Sequence, residues 1–379
     1  MRKSLFFLAI LLCFSCFLSS FFTAKNIVYA EGELKVLGFG DSISAGYAPD
    51  VSPYNDTEPT EDQNLIEKRR MLINYKEYYN STYGTTASKS SYTYLFGKAF
   101  VGEVDIQNYA NSGDKSSDLA KLLTYKNNYQ KTIAGSNQQV TINNATIVEK
   151  VKNANIITLC IGANDVLSDA TDKLYSLSSD LTKLTDGFTD AEMQEFRDIL
   201  DDNVNTFNTN YNDIILPALN KGAQIYVMTI YNPYKYTGDF GEFTAVRQIL
   251  DASIEALDQV NEIIRNSASK KVFVVDVVER FDAISQENYK DYVNVDLESM
   301  NLLDLFNIQN GVPYYLDPHP TPLGQRTIAD MFIDSYNESN VDTNAKNAVV
   351  IIVVASGVLV VGVAVYLIIE KIKYRAIKF

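Results

Sequence analysis

The 379 residues contain one histidine, three cysteines and no tryptophan. A single His excludes multi-His metal sites, and the cysteine spacing offers no zinc pattern. Cys13 and Cys16 lie in the apolar N-terminal run, which leaves Cys160 alone in the rest of the chain and excludes an intrachain disulfide there. Positive charge is also scarce. Lys plus Arg number 33 against 47 Asp plus Glu, a formal net charge of −14. That balance excludes nucleic acid as a partner, because phosphate backbones need stripes of Lys and Arg. Nothing calls for a metal or an organic cofactor. With 46% hydrophobic and 21% charged residues, the sequence folds rather than stays disordered.

The two ends differ from the middle. Arg2 and Lys3 precede an uncharged apolar run, and Val28-Tyr29-Ala30 suits signal peptidase, so residues 1–30 read as a signal peptide or, alternatively, an uncleaved signal anchor. Residues 348–369 are 22 positions without a charge, followed by Lys371, Lys373, Arg375 and Lys378. At ~1.5 Å rise per residue that stretch is long enough for the ~30 Å hydrocarbon layer. The expectation is a transmembrane helix at 348–369, a basic cytoplasmic tail at 370–379 and an extracytoplasmic domain before them, a single-pass type I arrangement in the cell membrane. Residues 1–30 and 370–379 each carry +3, so residues 31–347 carry −20. A polar stem is expected at 337–347.

Residues 31–336 alternate apolar runs with helical patterns. Strands are expected at 34–39, 104–107, 156–161, 224–230 and 271–277. Val246, Ile249, Leu250, Leu257, Val260, Ile263 and Ile264 recur at helical spacing, as do Phe196, Ile199, Leu200, Val204, Phe207 and Tyr211. Residues 116–123 and 324–336 read as a shorter and a closing helix. Such repetition implies parallel strands with helices on both faces, and ligands then bind beyond the carboxyl ends of the strands. The stretches 49–89 and 167–190 exceed a minimal version of this plan. Both follow strand ends and read either as insertions that shape access or as surface decoration.

Each expected strand end carries polar residues fit for chemistry. Gly40-Asp41-Ser42 follows the first strand, where a serine faces the ligand side, although Gly-Asp-Ser is also an ordinary turn. Gly113 follows the second and can offer a backbone N–H; it also reads as a loop glycine. Asn164 follows the third, with an amide that can donate into the same space or cap a helix. His319 sits in Asp317-Pro318-His319-Pro320, where prolines stiffen the backbone around a carboxylate and an imidazole. The Gly-x-Ser-x-Gly elbow of α/β-hydrolases is absent.

Taken together, the blocks GDSISAG, NYANSGD, GAND and DPHPTPLGQ resemble, in order and wording, the SGNH (GDSL-type) hydrolase family over roughly residues 34–335. The resemblance implies a three-layer α/β/α domain with a five-stranded parallel, flavodoxin-like sheet, and hydrolysis of esters or thioesters. Carried over by position, Ser42 is the nucleophile, His319 the general base and Asp317 the residue that orients the imidazole. The backbone N–H groups of Ser42 and Gly113, with the Asn164 side chain, form the oxyanion hole. Asp41 and Asp165 match as supports of their turns. The family's acid lies three residues before the His, where this chain has Leu316; Asp317 lies two before, and a main-chain carbonyl is the alternative partner for the imidazole. The implied activity is ester hydrolysis, by an esterase, lipase, acylhydrolase or carbohydrate O-deacetylase, on O-acylated glycans or lipids of the cell envelope. A binding module without turnover and an O-acyltransferase would use the same residues.

Overall fold

Unbroken apolar runs are the signature of strands buried on both faces, and four such runs supply the centre of the molecule. A computed structural model of the chain describes residues 33–46, 84, 89, 91–133, 138–177, 181–236, 243–295 and 316–340. Strands β1 (Leu34–Gly40), β2 (Val104–Asn108), β5 (Ile156–Cys160), β6 (Gln224–Met228) and β7 (Val272–Val275) form one sheet in the order β2-β1-β5-β6-β7. Every pairing in it is parallel. Two antiparallel pairs lie outside it: the hairpin β3 (Tyr129–Ile133) with β4 (Gln138–Ile142), and β8 (Val293–Val295) with β9 (Leu316–Pro320).

Alternation along the strands makes two cores. Leu37, Phe39, Ile157, Leu159, Ile225 and Val227 pack under helices α3 (Ser116–Thr124), α4 (Asn144–Asn153), α5 (Ala163–Leu177), α6 (Leu181–Asp186), α7 (Asp190–Thr209) and α8 (Thr244–Asn266). The intervening side chains face the other way. There Phe96 of α2 (Tyr92–Gly97) meets Tyr226 at 6.0 Å and Phe332 at 5.9 Å, and Tyr92 meets Phe332 at 4.7 Å between ring centroids. Phe332 belongs to the closing helix, α11 (Pro322–Asn340). Short helices α1 (Ser42–Ala45), α9 (Val277–Asp282) and α10 (Gln286–Tyr289) complete the described elements. The expected three-layer α/β/α arrangement with a five-stranded parallel sheet is the one observed.

Helix α7 does not stop at Thr209. It passes through a π-helical segment, Asn210–Ile215, into a last turn, Leu216–Leu219. Phe207, Tyr211, Ile215 and Leu219 stay fully buried along it. Ile199, placed by its spacing on the apolar stripe of this helix, is instead exposed.

The chain divides into two compact units, Met1–Ser335 and Tyr336–Phe379. All the described strands belong to the first. Of the second, residues 336–340 are described, and they are helical as the end of α11. The expectation of a transmembrane helix requires correction. Among the described residues no helix is long and apolar enough to cross a membrane. The longest, α8, has 23 residues but buries only one face and carries Asp251, Glu255, Asp258 and Glu262 elsewhere, which suits a globular surface helix. The described helices thus supply no membrane span, and 348–369 lies outside the described residues. So do the expected signal peptide at 1–30, the expected tail at 370–379, residues 341–347 of the expected stem and, except for Gly84 and Lys89, the stretch 49–89. The 167–190 stretch is helical over most of its length, in α5 and α6.

Candidate active site

The order of the sheet reverses between β1 and β5, which flank each other although β2 follows β1 in the chain. Such a switch point leaves a crevice at the carboxyl ends of the two strands. Gly40 closes β1 there at φ 130°, where a Cβ would come within 1.8 Å of the Cys160 carbonyl oxygen. Only glycine fits so close an approach. The Asp41 N–H donates to the same carbonyl at 3.0 Å, and the Asn111 N–H donates to Gly40 O at 3.0 Å. The loops after β1, β2 and β5 are thereby tied into one edge.

Ser42 opens α1 and is buried. Asp41 caps the helix by accepting from Ile43 N at 3.0 Å. As the first helical residue, Ser42 has an N–H with no acceptor inside the helix. Gly113 lies at φ 81° with nothing within 4 Å of a Cβ position, so its outer side is open. Among the described residues neither Ser42 nor Gly113 gives its backbone N–H to another group. Asn164 stands in the first turn of α5 and donates one amide hydrogen to Asp114 O at 3.1 Å. The second hydrogen on that nitrogen points elsewhere, because the two diverge by the geometry of the amide.

His319 lies in β9, and β9 packs against α1. Its imidazole is near enough to Asp41, the neighbour of Ser42, to stabilise that carboxylate electrostatically. The peptide just before it is held by Tyr231, whose hydroxyl donates to Pro318 O at 2.6 Å while its ring stacks on Phe281 at 4.6 Å. Asp317 falls within β9, two positions before His319. The structure thus gathers Ser42, Gly113, Asn164 and His319 at the carboxyl edge of the sheet.

Asp41 is fully buried. Burial raises its carboxyl to about 7 against the pull of the Ile43 N–H and of His319. Its Oδ2 has no hydrogen-bond partner and faces Cys160, whose thiol is driven well up by the same burial and by Asp41. Asp165 accepts from Ser116 N at 2.9 Å and Ser116 Oγ at 2.5 Å, which fixes α5 against α3. Both aspartates therefore support turns.

Three further residues hold the site: Gln325 and Asp114 end the blocks DPHPTPLGQ and NYANSGD, and Lys131 belongs to no motif. Gln325, fully buried, accepts from Tyr92 N at 2.8 Å and donates to Ile43 O at 3.1 Å, so the closing helix grips α1 directly. It lies at helical spacing from Ile328, Ala329 and Phe332, all buried with it on one face of α11. Asp114 accepts from Asn111 Nδ2 at 2.7 Å and from Lys131 Nζ at 2.6 Å. Burial raises the Asp114 carboxyl above its ordinary value, opposed by Lys131. No pattern in the sequence joined Lys131 of the hairpin to Asp114.

A profile of GDSL-like lipases and acylhydrolases matches residues 36–332. The chain belongs to the GDSL-like lipase/acylhydrolase family. It is a GDSL-type hydrolase of ester bonds. Similar solved structures include an extracellular lipase from Streptomyces rimosus (15% identity, 81% of this chain and 100% of that one, TM-score 0.46). Another is phospholipase A1 from Streptomyces albidoflavus NA297 (15%, 80% and 98%, TM-score 0.43). A third is the acetyl xylan esterase AlAXEase (14%, 80% and 99%, TM-score 0.34). Comparison with curated proteins finds no match. In this GDSL-like chain the blocks GDSISAG, NYANSGD and GAND lie at the carboxyl ends of β1, β2 and β5, and DPHPTPLGQ runs from β9 into α11.

Proposed function

We propose that the chain cleaves acyl esters through a covalent intermediate on Ser42. The imidazole of His319 takes the Ser42 proton as Oγ bonds to the ester carbonyl carbon. The C–O bond to the alcohol then breaks, and the alcohol leaves with that proton. Water, deprotonated by the same imidazole, attacks the acyl-Ser42 ester and releases the acid. The Ser42 and Gly113 N–H groups and the free amide hydrogen of Asn164 stabilise the oxyanion in both halves. Tyr231 and Gln325 hold the segments that carry the base and the nucleophile.

The observation that supports this reading is the meeting of three loops and β9 at one sheet edge, with two backbone donors there left unpaired. Asp41 caps α1 through Oδ1 and so fixes the turn that carries Ser42. The test is hydrolysis of 4-nitrophenyl acetate by the full chain. Ser42→Ala is expected to abolish turnover and labelling by a fluorophosphonate, and Asn164→Ala to lower kcat about 10²–10³-fold. Undiminished turnover by the Ser42→Ala protein refutes the assignment.

A further inference from the structure

We propose that Asn203 of α7 and Asn210, where that helix turns π-helical, are positioning residues for ester hydrolysis that hold the oxyanion donors Gly113 and Asn164 in place from behind. The inference rests on the reading of Ser42 as nucleophile and extends it to a helix that supplies none of the reacting groups. Asparagine is a poor helix former, yet residues 203–212 read NVNTFNTNYN. Asn205, Asn208 and Asn212 are exposed, whereas Asn203 and Asn210 are partly buried. The two are seven apart, close to two full turns, so they share one face.

That face meets the first turns of α3 and α5, which follow the loops carrying Gly113 and Asn164. Asn210 Nδ2 donates to Ser116 Oγ at 3.1 Å. Ser116 gives both its O–H and its N–H to the Asp165 carboxylate, and Ser116 and Asp165 are buried. The direction of this relay is forced. A carboxylate only accepts, so the one hydroxyl proton of Ser116 goes to Asp165, and the amide that approaches Oγ from the helix has to donate. Two turns earlier, Asn203 Nδ2 donates to Asp169 Oδ2 at 2.8 Å, and the same oxygen faces Lys115 Nζ at 3.6 Å. Both asparagines thus reach α3 and α5 together, one through Ser116 to Asp165 and the other through Asp169 to Lys115.

Asp165 is the neighbour of Asn164, and Ser116 lies just past Gly113 in the chain, so the bonds between Ser116 and Asp165 set the separation of the two donors. Phe207, between the two asparagines, adds a steric stop. A Cβ on Gly162, at φ 122°, would come within 2.8 Å of the Phe207 ring, so α7 abuts the turn that delivers Asn164. Phe207 is fully buried and stacks on Tyr211 at 5.3 Å between centroids. Donors stabilise a developing oxyanion best when they need no reorganisation, and that requires supports whose own hydrogen bonds are fixed.

The experiment measures kcat and KM of the full chain for 4-nitrophenyl acetate, together with inhibition by phenylboronic acid, which bonds to a serine Oγ and directs a boronate oxygen at the oxyanion donors. Asn210→Leu is expected to lower kcat about 3–10-fold, the usual worth of one hydrogen bond, with KM little changed. Phenylboronic acid is expected to weaken by the same factor as kcat. Asn210→Asp keeps the shape but presents an acceptor where Ser116 Oγ needs a donor; it is expected to lose at least as much, and it carries the test should Asn210→Leu not fold. Asn203→Leu is expected to act in the same direction and more weakly, because the Lys115–Asp169 pair is partly exposed. Asn208→Ala, exposed on the same helix and bonded to Asn212, is expected to keep the wild-type kcat. With Asn164→Ala already in place, one positioned donor is gone, and Asn210→Leu is expected to cost less than it does alone. Unchanged kcat in the Asn210 variants, a change confined to KM, or equal losses with and without Asn164 overturns the positioning role while leaving the hydrolase reading intact. Absence of wild-type turnover, together with absence of fluorophosphonate labelling, overturns both.

Discussion

Replacing Lys131 with Met keeps most of the aliphatic stem and removes the ammonium that neutralises Asp114. The two charges are 2.6 Å apart and almost fully buried. Breaking such a pair by deleting one partner typically costs ~3–5 kcal/mol, since the remaining charge is left in a poor solvent. Protonation of Asp114 limits that loss. Its carboxyl already lies above the ordinary 3.8 in the folded chain because of burial, and without Lys131 it rises further. The folded state then holds a proton that the unfolded state releases, so stability falls as pH climbs from about 4 through the new folded value. The deficit of Lys131→Met relative to wild type is therefore expected to be larger at pH 8 than at pH 5. Urea denaturation at several pH values measures it, as a shift in midpoint at constant slope. Asp114→Asn added to Lys131→Met removes the stranded charge and is expected to recover much of the loss at pH 8. A deficit under about 1 kcal/mol that does not vary with pH, or a double variant no more stable than the single one, would refute the assignment of a buried, mutually dependent pair. Because the Asp114 carbonyl also holds the Asn164 amide, kcat for 4-nitrophenyl acetate is expected to fall in Lys131→Met.

Two other perturbations follow from the same edge of the sheet. Asp41 titrates at about 7 in the folded chain against 3.8 for an unburied carboxyl, a difference worth about 4 kcal/mol of stability lost as pH rises across that window. Asn is as good a helix cap as Asp and does not titrate, so Asp41→Asn is expected to gain up to about 4 kcal/mol on the wild type between pH 4 and pH 8. Equal differences at the two pH values in chemical denaturation would count against it. Gln325→Leu strands Tyr92 N, at ~1–3 kcal/mol, while Ile43 O keeps the Gly46 N–H. Thermal unfolding should report a loss of about 1–3 kcal/mol, with kcat reduced more than KM is raised because α1 carries Ser42. A loss below 1 kcal/mol would show that the clamp contributes little.

Strand runs such as Ile156–Cys160 and Gln224–Met228 were legible because a strand covered on both faces must be apolar at every position. The hairpin Tyr129–Ile133 with Gln138–Ile142 was not. Its residues are mostly polar and lie outside the sheet, so neither burial nor alternation marks them. Helix α2 has six residues, too few to show a helical period. Residues 316–320 carry two prolines and read as a loop; they form a strand with one partner, β8, where a missing N–H is tolerated. The order Ser42, Gly113, Asn164, His319 was readable as a family pattern, and the sheet order explains why positions so distant in sequence share one edge. The depth at which Asp41 sits was not readable, since the closeness of Gly40 to Cys160 is a property of two strands and not of either alone. The expected membrane helix found no counterpart among the described helices, which are amphipathic.

The segment Asn210–Ile215 bears on how this chain tolerates changes in length. Phe207, Tyr211, Ile215 and Leu219 are spaced by four. Four residues overshoot one turn at 3.6 residues per turn and fall short of one wider turn closed by i→i+5 bonds. Alternating the two windings keeps the aromatic and aliphatic row straight against the sheet. The wide turn is thus a reservoir of one surplus residue: shortening the chain by one position there restores ordinary winding without shifting Phe196, Leu200 or Val204, and the change in phase is confined to the last turn before β6.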